Sequence, residues 1–241
     1  MTKTAIIIPA RYEAQRFPGK CLAKIDHQSV IQHVYRKASV VSNAQKVIVA
    51  TDDERIKDEI QQVGGNVILT SGDHKNGTSR VAEVAGNLDH EYIINLQGDE
   101  PLINPRAVEK LIDRLHELGN GIVTLKKRIS QEKEITNPNV VKVVTDQLDN
   151  ALYFSRSPIP FVIHQFTSAK YFKHIGIYGF SKKELLRLIT LPQSVLEKAE
   201  QLEQLRWLSH GYNIHVFETD YESIGVDTPA DLEKIKSMFL S

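Results

Sequence analysis

The sequence predicts an α/β fold in which helices flank a mostly parallel sheet. Short apolar runs rich in β-branched residues alternate, over the first hundred residues, with segments whose apolar residues recur every three or four positions. The first run, residues 5–8, is apolar without alternation, as expected for a strand buried on both faces. Strands that alternate with helices form β-α-β units, and such units place helices on both faces of a parallel sheet.

The first half carries four predicted strands and three predicted helices. Ser29 is a suitable N-cap for the first helix, and Asp52 or Asp53 is one for the second, which ends at Gly64-Gly65. The strands are expected at residues 5–8, 46–51, 67–70 and 92–96, and the helices at 30–40, 53–63 and 78–85.

The second half is less regular, and it contains no segment rich in Pro, Gly or Ser that divides the chain. We therefore expect a single domain over residues 1–241. Helices are predicted at residues 104–118, 182–190, 195–211 and 229–238, and strands at 121–125, 140–145, 151–154 and 214–219, with the second and third of these strands forming a hairpin.

Composition excludes several classes of protein. The chain has 30 Lys and Arg residues and 30 Asp and Glu residues, so it lacks the basic excess that binding to nucleic acid requires. No apolar stretch approaches the roughly 20 residues that cross a bilayer, and the N-terminus has no signal-peptide pattern. The single cysteine, Cys21, cannot form an intramolecular disulfide. These features predict a cytoplasmic protein without membrane insertion.

Polar clusters follow three of the predicted elements, at residues 11–20, 72–80 and 97–100. In open parallel sheets, ligands bind at the carboxyl ends of the strands. The chain contains no G-x-G-x-x-G fingerprint, and in the segment 72–78 Thr78 stands where a Walker A loop has its lysine. The two common nucleotide-binding loops are therefore excluded.

The first cluster carries three cations, Arg11, Arg16 and Lys20, with Glu13 as its one acidic residue. Two guanidinium forks and one ammonium suit a polyphosphate, and free backbone N–H groups near Gly19 would add to anion binding. A solvated loop whose cations face water is the alternative interpretation.

Two aspartates are candidate metal ligands. Asp99 follows a buried strand, where a carboxylate can hold Mg²⁺ together with substrate phosphates, although a capping role before Pro101 is the alternative. Near the C-terminus, Thr228 and Asp231 fit a helix-capping motif, which leaves Asp227 without a local role. Asp227 is therefore the candidate second ligand.

Seven motifs in the same order resemble those of the 3-deoxy-manno-octulosonate (KDO) cytidylyltransferases, over residues 6 to about 235. They are Ile8-Pro-Ala-Arg-Tyr12 with Arg16-Phe-Pro-Gly-Lys20, Ala50-Thr-Asp52, Asn95-Leu-Gln-Gly-Asp-Glu-Pro101, Phe154-Ser-Arg156, His174-Ile-Gly-Ile-Tyr178, Leu202-Glu-Gln-Leu-Arg206 and Gly225-Val-Asp-Thr-Pro229.

The resemblance implies a single-domain Rossmann-like fold of the nucleotide-diphospho-sugar transferase type, a homodimer, and Mg²⁺ as cofactor. It implies transfer of CMP from CTP to the anomeric hydroxyl of KDO, with release of pyrophosphate, for lipopolysaccharide synthesis. By resemblance, Arg11, Arg16, Lys20 and Asp99 are catalytic; Ala10, Arg11, Arg16, Lys20, Gly77, Thr78 and Arg80 bind CTP; Asp99 and Asp227 hold the metal; and Gln97, Arg156, His174, Tyr178, Glu203 and Gln204 face the sugar.

Two of the implied sugar residues have open roles. His174 is a sugar-binding donor, a general base, or a buried polar residue beside Gly176. Arg156 pairs either with the sugar carboxylate or with a carboxylate of the protein.

The chain departs from the family pattern at three places. Glu13-Ala14-Gln15 replaces small hydroxyl residues, Cys21 replaces a common proline, and Ser79 stands where the pattern has Asp or Glu. The changed charges suggest an alternative substrate, the 8-amino-8-deoxy form of the sugar, whose ammonium could donate a hydrogen bond to Glu13 or to another carboxylate. A non-catalytic nucleotide or sugar sensor is the alternative from another class, and a sialic acid cytidylyltransferase is a weaker one because its loop after the first arginine differs.

Overall fold

The structure is a computed structural model that describes residues 3–14, 16–163 and 169–239. Within these ranges, nine strands form one sheet with the central order β11-β7-β10-β6-β1-β4-β5, and β8 pairs with both β9 and β10. The predicted α/β fold is confirmed. The strands are β1 (Thr4–Ala10), β2 (Lys24–Ile25), β3 (Gln28–Ser29), β4 (Lys46–Thr51), β5 (Val67–Leu69), β6 (Tyr92–Asn95), β7 (Ile122–Arg128), β8 (Lys142–Thr145), β9 (Ala151–Ser155), β10 (Phe172–Ser181) and β11 (Ile214–Glu218).

Helices cover both faces of the sheet, and several begin where the sequence places a cap. Ser29 and Gln32 form a complete capping box, and the Asp53 carboxylate accepts a hydrogen bond from the backbone N–H of Arg55. The helices are α1 (Val30–Ser39), α2 (Glu54–Gln61), α3 (Gly77–Gly86), α4 (Pro105–Leu118), α5 (Glu132–Thr136), α6 (Lys182–Leu188), α7 (Val195–Glu200), α8 (Gln204–Ser209) and α9 (Pro229–Phe239).

Strand β1 lies in the interior of the sheet, and every one of its residues is buried. It pairs in parallel with β4 on one side and with β6 on the other. Because successive side chains of a strand point to opposite faces of the sheet, its odd-numbered and even-numbered residues enter different cores. Ile6 and Ile8 pack under α1 and α4, whereas Ala5 and Ile7 pack under α3 and α6. The continuous apolar run in the sequence reflects this burial on both faces.

The longest strand, β10, is absent from the sequence prediction. It runs antiparallel to both β6 and β7, with a register shift between Ile175 and Tyr178. Gly176 and Gly179 and the charged residues at its start obscure the apolar pattern of a strand. Because Tyr178 lies opposite Asn95, the last residue of β6, the first half of β10 extends past the carboxyl end of β6.

The predicted long helix over residues 195–211 is wrong, because the chain breaks it into α7 and α8. Gln201 adopts a left-handed conformation with φ 53°, which ends α7. The predicted hairpin is confirmed, since β8 and β9 pair antiparallel. None of the helices in the described ranges is both long and apolar enough to cross a membrane.

The carboxyl ends of β1, β4 and β6 meet at one edge of the sheet, because the three strands are parallel neighbours. The segments that follow them, 11–20, 52–53 and 96–100, therefore lie at that edge. The extended start of β10 adds its own residues there.

Replacing Ile7 with alanine tests the double burial of β1. Ile7 is fully buried, so Ile7→Ala is expected to lower the free energy of unfolding by about 2–5 kcal/mol through lost burial and the cavity it leaves. Urea denaturation measures the change. The control is Ile68→Ala in β5, a side chain that is 37% exposed and for which a smaller loss is expected. Equal losses at the two positions would contradict the burial of β1 on both faces.

Candidate functional site

A cavity of about 280 Å³ opens at the carboxyl edge of the sheet. Its walls come from the segment after β1, the segment before α3, the segment after β6, and one residue before α9. The lining residues are Pro9, Ala10, Arg11, Ala14, Arg16, Lys20, Cys21, His74, Asn76, Gly77, Arg80, Gln97, Gly98, Asp99 and Asp227.

The cationic loop after β1 folds back on itself where Gly19 meets Tyr12. Gly19 adopts φ 72°, and its N–H donates to the carbonyl oxygen of Tyr12 at 2.8 Å. A Cβ on Gly19 would lie 2.9 Å from the Tyr12 ring, so a larger residue does not fit there. The guanidinium of Arg55 stacks on the Tyr12 ring, 3.4 Å from the ring centroid. The loop thereby holds Arg11, Arg16 and Lys20 along one side of the cavity.

Asp99 and Asp227 converge on one ammonium group. Lys20 Nζ donates to Asp99 Oδ2 at 2.5 Å and to Asp227 Oδ1 at 2.9 Å, and Arg16 pairs with Asp227 Oδ2 at 2.9 Å. The backbone fixes this arrangement, because the N–H of Val226 donates to the carbonyl oxygen of Asp99 at 2.8 Å. The two carboxylates and two cations of the site therefore form one connected group.

The charges of this group shift the ionisation of its members. Burial alone lowers the pKa of Lys20, but the carboxylates of Asp99 and Asp227 raise it overall. Burial alone raises the pKa of Asp227, but Lys20 and Arg16 lower it overall. Both residues are thus held in their charged forms at neutral pH.

The donor set fits a hard divalent cation. Mg²⁺ in phosphate sites takes one or two carboxylates and completes its shell with substrate oxygens and water. Asp99 and Asp227 supply two carboxylates that already share a cation, Lys20. In the described part of the chain no group of three or more His, Cys, Asp or Glu side chains is placed to hold a metal, so the protein itself offers no closed metal cage. The capping pair of Thr228 and Asp231 is present, so the cap does not use the Asp227 side chain, which pairs with Lys20 and Arg16 instead.

Helix α3 begins at the other end of the cavity. Asn76 caps it by accepting a hydrogen bond from the Ser79 N–H at 2.8 Å, and Gly77 lies against Pro9, where a Cβ would approach the proline ring to 3.1 Å. Arg80 is 3% exposed; its guanidinium donates to Asp52 Oδ2 at 3.0 Å and to Thr70 Oγ1 at 2.5 Å. Arg80 thus joins the segments after β4 and β5 to the cavity wall.

Thr78 faces Glu203 and is outside the set of described residues that line the cavity. Its hydroxyl donates to Glu203 Oε2 at 2.6 Å, and Asn76 Nδ2 donates to Glu203 Oε1 at 2.7 Å. Burial raises the pKa of Glu203, and the hydrogen bonds from Thr78 and Asn76 oppose that shift. Glu203 therefore fastens the start of α3 to the start of α8, where Gln204 is also buried.

The residues of β10 form an aromatic cluster behind the cavity. His174 Nε2 lies 2.9 Å from Thr124 Oγ1, and the His174 ring contacts the rings of Phe154 and Tyr178. Burial lowers the pKa of His174 to about 3, so the ring is neutral at physiological pH. The Tyr178 hydroxyl is buried and has no hydrogen-bond partner among the described residues. Burial also raises the pKa of Tyr178.

Arg156 is engaged by main-chain carbonyl groups rather than by a carboxylate. Its Nε donates to the Glu200 carbonyl oxygen at 2.7 Å, and its other nitrogens donate to the carbonyl oxygens of Pro138 and Gln201. The Glu200 carboxylate accepts a hydrogen bond from the main-chain N–H of Arg156 at 2.9 Å. Arg156 thus holds the break between α7 and α8.

The structure therefore brings together part of the set that the sequence indicates. The implied phosphate and metal residues, with Ala10, Gly77, Arg80 and Gln97, share one cavity, whereas the other implied sugar residues lie outside its lining in the described ranges. Sequence reasoning did not single out Pro9, His74, Asn76 or Gly98. The position of Gly98 between Gln97 and Asp99 is the one sequence feature that points to it. In the structure, a Cβ at Gly98 would come within 2.9 Å of the Pro9 carbonyl oxygen.

Comparison with known proteins decides the family. The profile of the family described as cytidylyltransferase matches residues 5–220. The chain belongs to the cytidylyltransferase family. The predicted resemblance and the expectation of a nucleotidyltransferase are confirmed.

Two relatives and one solved structure are similar over nearly their whole length. The 3-deoxy-manno-octulosonate cytidylyltransferase of Solibacter usitatus is 49% identical over 97% of this chain and 93% of the relative. That of Trichlorobacter lovleyi is also 49% identical, over 95% of this chain and 96% of the relative. A structure of CMP:2-keto-3-deoxy-manno-octonic acid synthetase complexed with CTP has a TM-score of 0.94 and 44% identity, and covers 99% of each chain.

The lowered pKa of His174, whose side chain is half-buried, predicts how stability changes with pH. Because its folded-state pKa is near 3 and an unfolded histidine has a pKa near 6.5, the unfolded chain binds a proton that the folded chain does not as pH falls below about 6.5. This residue is therefore expected to reduce the free energy of unfolding by about 2 kcal/mol between pH 7 and pH 5. Urea denaturation of the wild type and of His174→Gln at both pH values measures the difference. The same pH dependence in the two proteins would show that His174 is not held neutral.

Proposed function

We propose that the protein transfers CMP from CTP to the anomeric hydroxyl of KDO and releases pyrophosphate. The observation that carries the proposal is the convergence of Asp99 and Asp227 on Lys20, beside the cationic loop and inside one cavity. The names of relatives that are 49% identical support KDO as the sugar. The CTP named for the similar solved structure supports cytidine as the nucleotide.

The chemistry requires two anionic substrates to meet. The hydroxyl oxygen of the sugar attacks the α-phosphorus of CTP and its proton passes to water, while the bond to the bridging oxygen breaks and pyrophosphate leaves with that electron pair. Phosphoryl transfer depends mainly on positioning and charge neutralisation. Arg11, Arg16 and Lys20 line the cavity and would neutralise the β- and γ-phosphates, which makes pyrophosphate a better leaving group. Direct displacement is expected, without a covalent enzyme intermediate.

Asp99 and Asp227 would hold Mg²⁺. When bound, the ion would neutralise phosphate charge and orient the reacting groups. Lys20 already bridges the two carboxylates, so it keeps them close and charged before a metal binds. A non-catalytic sensor has no need for this paired set, which favours the enzyme over the sensor.

The sugar is proposed to bind beside Gln97, at the carboxyl edge that β10 extends. Gln97 lines the cavity, and the Tyr178 hydroxyl, which has no hydrogen-bond partner among the described residues, offers a buried polar group to a ligand. The pKa of His174 is lowered to about 3, which makes its ring a weak base, so we assign it hydrogen bonding to the sugar rather than acceptance of a proton. Glu203, Gln204 and Arg156 remain proposed sugar residues by resemblance; Arg156 would have to leave its main-chain partners to reach a sugar carboxylate.

The 8-amino sugar remains the alternative substrate. Glu13, the residue suggested to accept its ammonium, is exposed and is not one of the described residues that line the cavity. The sensor, the 8-amino sugar and sialic acid each give a different outcome in a substrate panel.

We also propose a homodimer in the cytoplasm. Large apolar side chains are exposed on one stretch of the chain: Phe161 is 86% exposed, Ile163 is 78% and Leu152 is 62%. Exposed apolar groups of this size favour burial against a second copy. The single cysteine, Cys21, is buried, in keeping with a reducing compartment.

A substrate panel tests the proposed reaction. Pyrophosphate release from CTP and Mg²⁺ is expected with KDO, at a higher kcat/KM than with the 8-amino sugar or sialic acid. Asp99→Asn and Asp227→Asn are each expected to abolish most turnover. Asp231→Asn is the matched control outside the cavity lining. A higher kcat/KM for the 8-amino sugar would show that this sugar, and not KDO, is the preferred substrate. The absence of pyrophosphate release with every sugar acid would contradict the proposed reaction.

Replacing Lys20 tests the cationic loop. Lys20→Met is expected to lower kcat/KM for CTP by two to three orders of magnitude, since loss of one preorganised donor costs about 2.7–4 kcal/mol of transition-state stabilisation. Lys24→Met is the control. Lys24 lies four residues after Lys20 in the sequence, but it pairs with Glu59 on the surface. Steady-state kinetics with varied CTP measures both. If the two variants lost activity equally, the loop would have no specific role in phosphate binding.

A further inference from the structure

The segment that carries Asp227, residues 219–227, joins β11 to α9 without regular secondary structure. Its first half is fastened to the sheet, because Lys127 of β7 and Lys173 of β10 both pair with the Glu222 carboxylate. Asp227 lies five residues beyond Glu222. Contacts at Glu222 alone therefore do not determine where the Asp227 carboxylate lies.

The second half of the segment lies against Asp99 and Glu100. The N–H of Val226 donates to the Asp99 carbonyl oxygen at 2.8 Å. A Cβ on Gly225 would lie 3.8 Å from that same oxygen and 3.9 Å from Glu100 Cγ, so the backbone at Gly225 runs close beside both residues. The segment thus meets the residues that follow β6 immediately before it reaches Asp227.

A buried pair of side chains fixes the same approach. The Tyr221 hydroxyl donates to Glu100 Oε2 at 3.1 Å, and the two residues are 6% and 7% exposed. Glu100 is not among the described residues that line the cavity, whereas its neighbour Asp99 is. Glu100 therefore directs its carboxyl group to Tyr221, while Asp99 faces the cavity.

Burial makes this pair selective for one arrangement. A carboxyl group that is removed from water is costly unless it is hydrogen-bonded, so a position of the segment that parts Tyr221 from Glu100 is disfavoured. Both ends of the hydrogen bond are firmly placed, because Glu100 follows Asp99 directly and the Tyr221 ring belongs to one of the hydrophobic cores. The pair thus limits the distance between Asp99 and Asp227.

We propose that Glu100 and Tyr221 are positioning residues, whose hydrogen bond holds Asp227 where it and Asp99 can bind one divalent cation together. The proposal deepens the proposed function and rests on it, because it takes Asp99 and Asp227 as the metal ligands. It assigns neither Glu100 nor Tyr221 a contact with a substrate or with the metal.

Binding of the Mn²⁺ complex of CTP tests the proposal without turnover. Mn²⁺ takes the same oxygen ligands as Mg²⁺. The relaxation rate of water protons reports enzyme-bound Mn²⁺ and gives the Kd of Mn²⁺–CTP, and calorimetry in EDTA gives the Kd of CTP alone. Tyr221→Phe, which keeps the ring, is expected to weaken Mn²⁺–CTP about fivefold, the scale of one net hydrogen bond, and CTP alone by less than about twofold.

Tyr92→Phe is the matched control. Tyr92 is also 6% exposed, and its hydroxyl also donates to one oxygen, the Gly119 carbonyl at 2.7 Å, but it lies at the other end of β6 from Glu100. The control is expected to lose stability and to keep the wild-type Kd of Mn²⁺–CTP. If Tyr221→Phe behaved as Tyr92→Phe does, or weakened CTP alone as much as Mn²⁺–CTP, the positioning role would be wrong.

Variants of Glu100 distinguish a positioning residue from a metal ligand. Glu100→Gln keeps an acceptor oxygen for Tyr221 and is expected to stay within about twofold of the wild-type Kd of Mn²⁺–CTP, whereas Glu100→Ala is expected to weaken it about tenfold. In Glu100→Ala, the further change Tyr221→Phe is expected to have no effect. Additive losses, or a loss in Glu100→Gln as large as in Asp99→Asn, would overturn the assignment.

The outcomes separate this proposal from the function on which it rests. If the wild type binds Mn²⁺–CTP no more tightly than CTP alone, the metal site of the proposed function is wrong, and the positioning role falls with it. If the wild type binds Mn²⁺–CTP more tightly and Tyr221→Phe does so equally, only the positioning role is wrong. Thermal unfolding verifies that each variant is folded, and Tyr221→Phe decides the question if Glu100→Ala does not fold.

Discussion

The ion group of Lys20, Asp99 and Asp227 is the constraint on which the rest of the site depends. The three side chains come from the loop after β1, the segment after β6 and the residue before α9. Opposite charges a few ångströms apart in a partly buried setting attract strongly, whereas the aspartates alone would repel each other. Lys20 therefore keeps two separate segments closed around the cavity, and the backbone hydrogen bond from Val226 to Asp99 sets how closely they approach.

The regular part of the fold could be predicted because its local signals agree with its packing. The capping box at Ser29 and the unbroken apolar run of β1 each lead to one structure. Strand β10 could not be predicted, because its identity comes from its two neighbours, β6 and β7, and not from its own glycine-containing sequence. The break at Gln201 likewise depends on Arg156, a residue some forty positions away.

The candidate site likewise contains residues that the sequence could predict and residues that it could not. Arg11, Arg16 and Lys20 were predictable because one loop carries all three, and Asp227 because its neighbours account for the cap without it. His74 was not, because its partners Ser79 and Glu83 take up its nitrogens only once α3 has formed. The partners of Arg156 are carbonyl groups, which every residue has and which no sequence pattern can reveal.

The bridge that Glu203 makes to Asn76 and Thr78 joins the start of α3 to the start of α8. Asn76 and Thr78 flank a glycine on the nucleotide side, and Glu203 precedes a helix on the side assigned to the sugar. If the two substrates bind as proposed, a nucleotide that shifted the start of α3 would stretch or relax these two hydrogen bonds and so alter the affinity for the second substrate. Linkage would make such an effect mutual, with each substrate changing the dissociation constant of the other by the same factor.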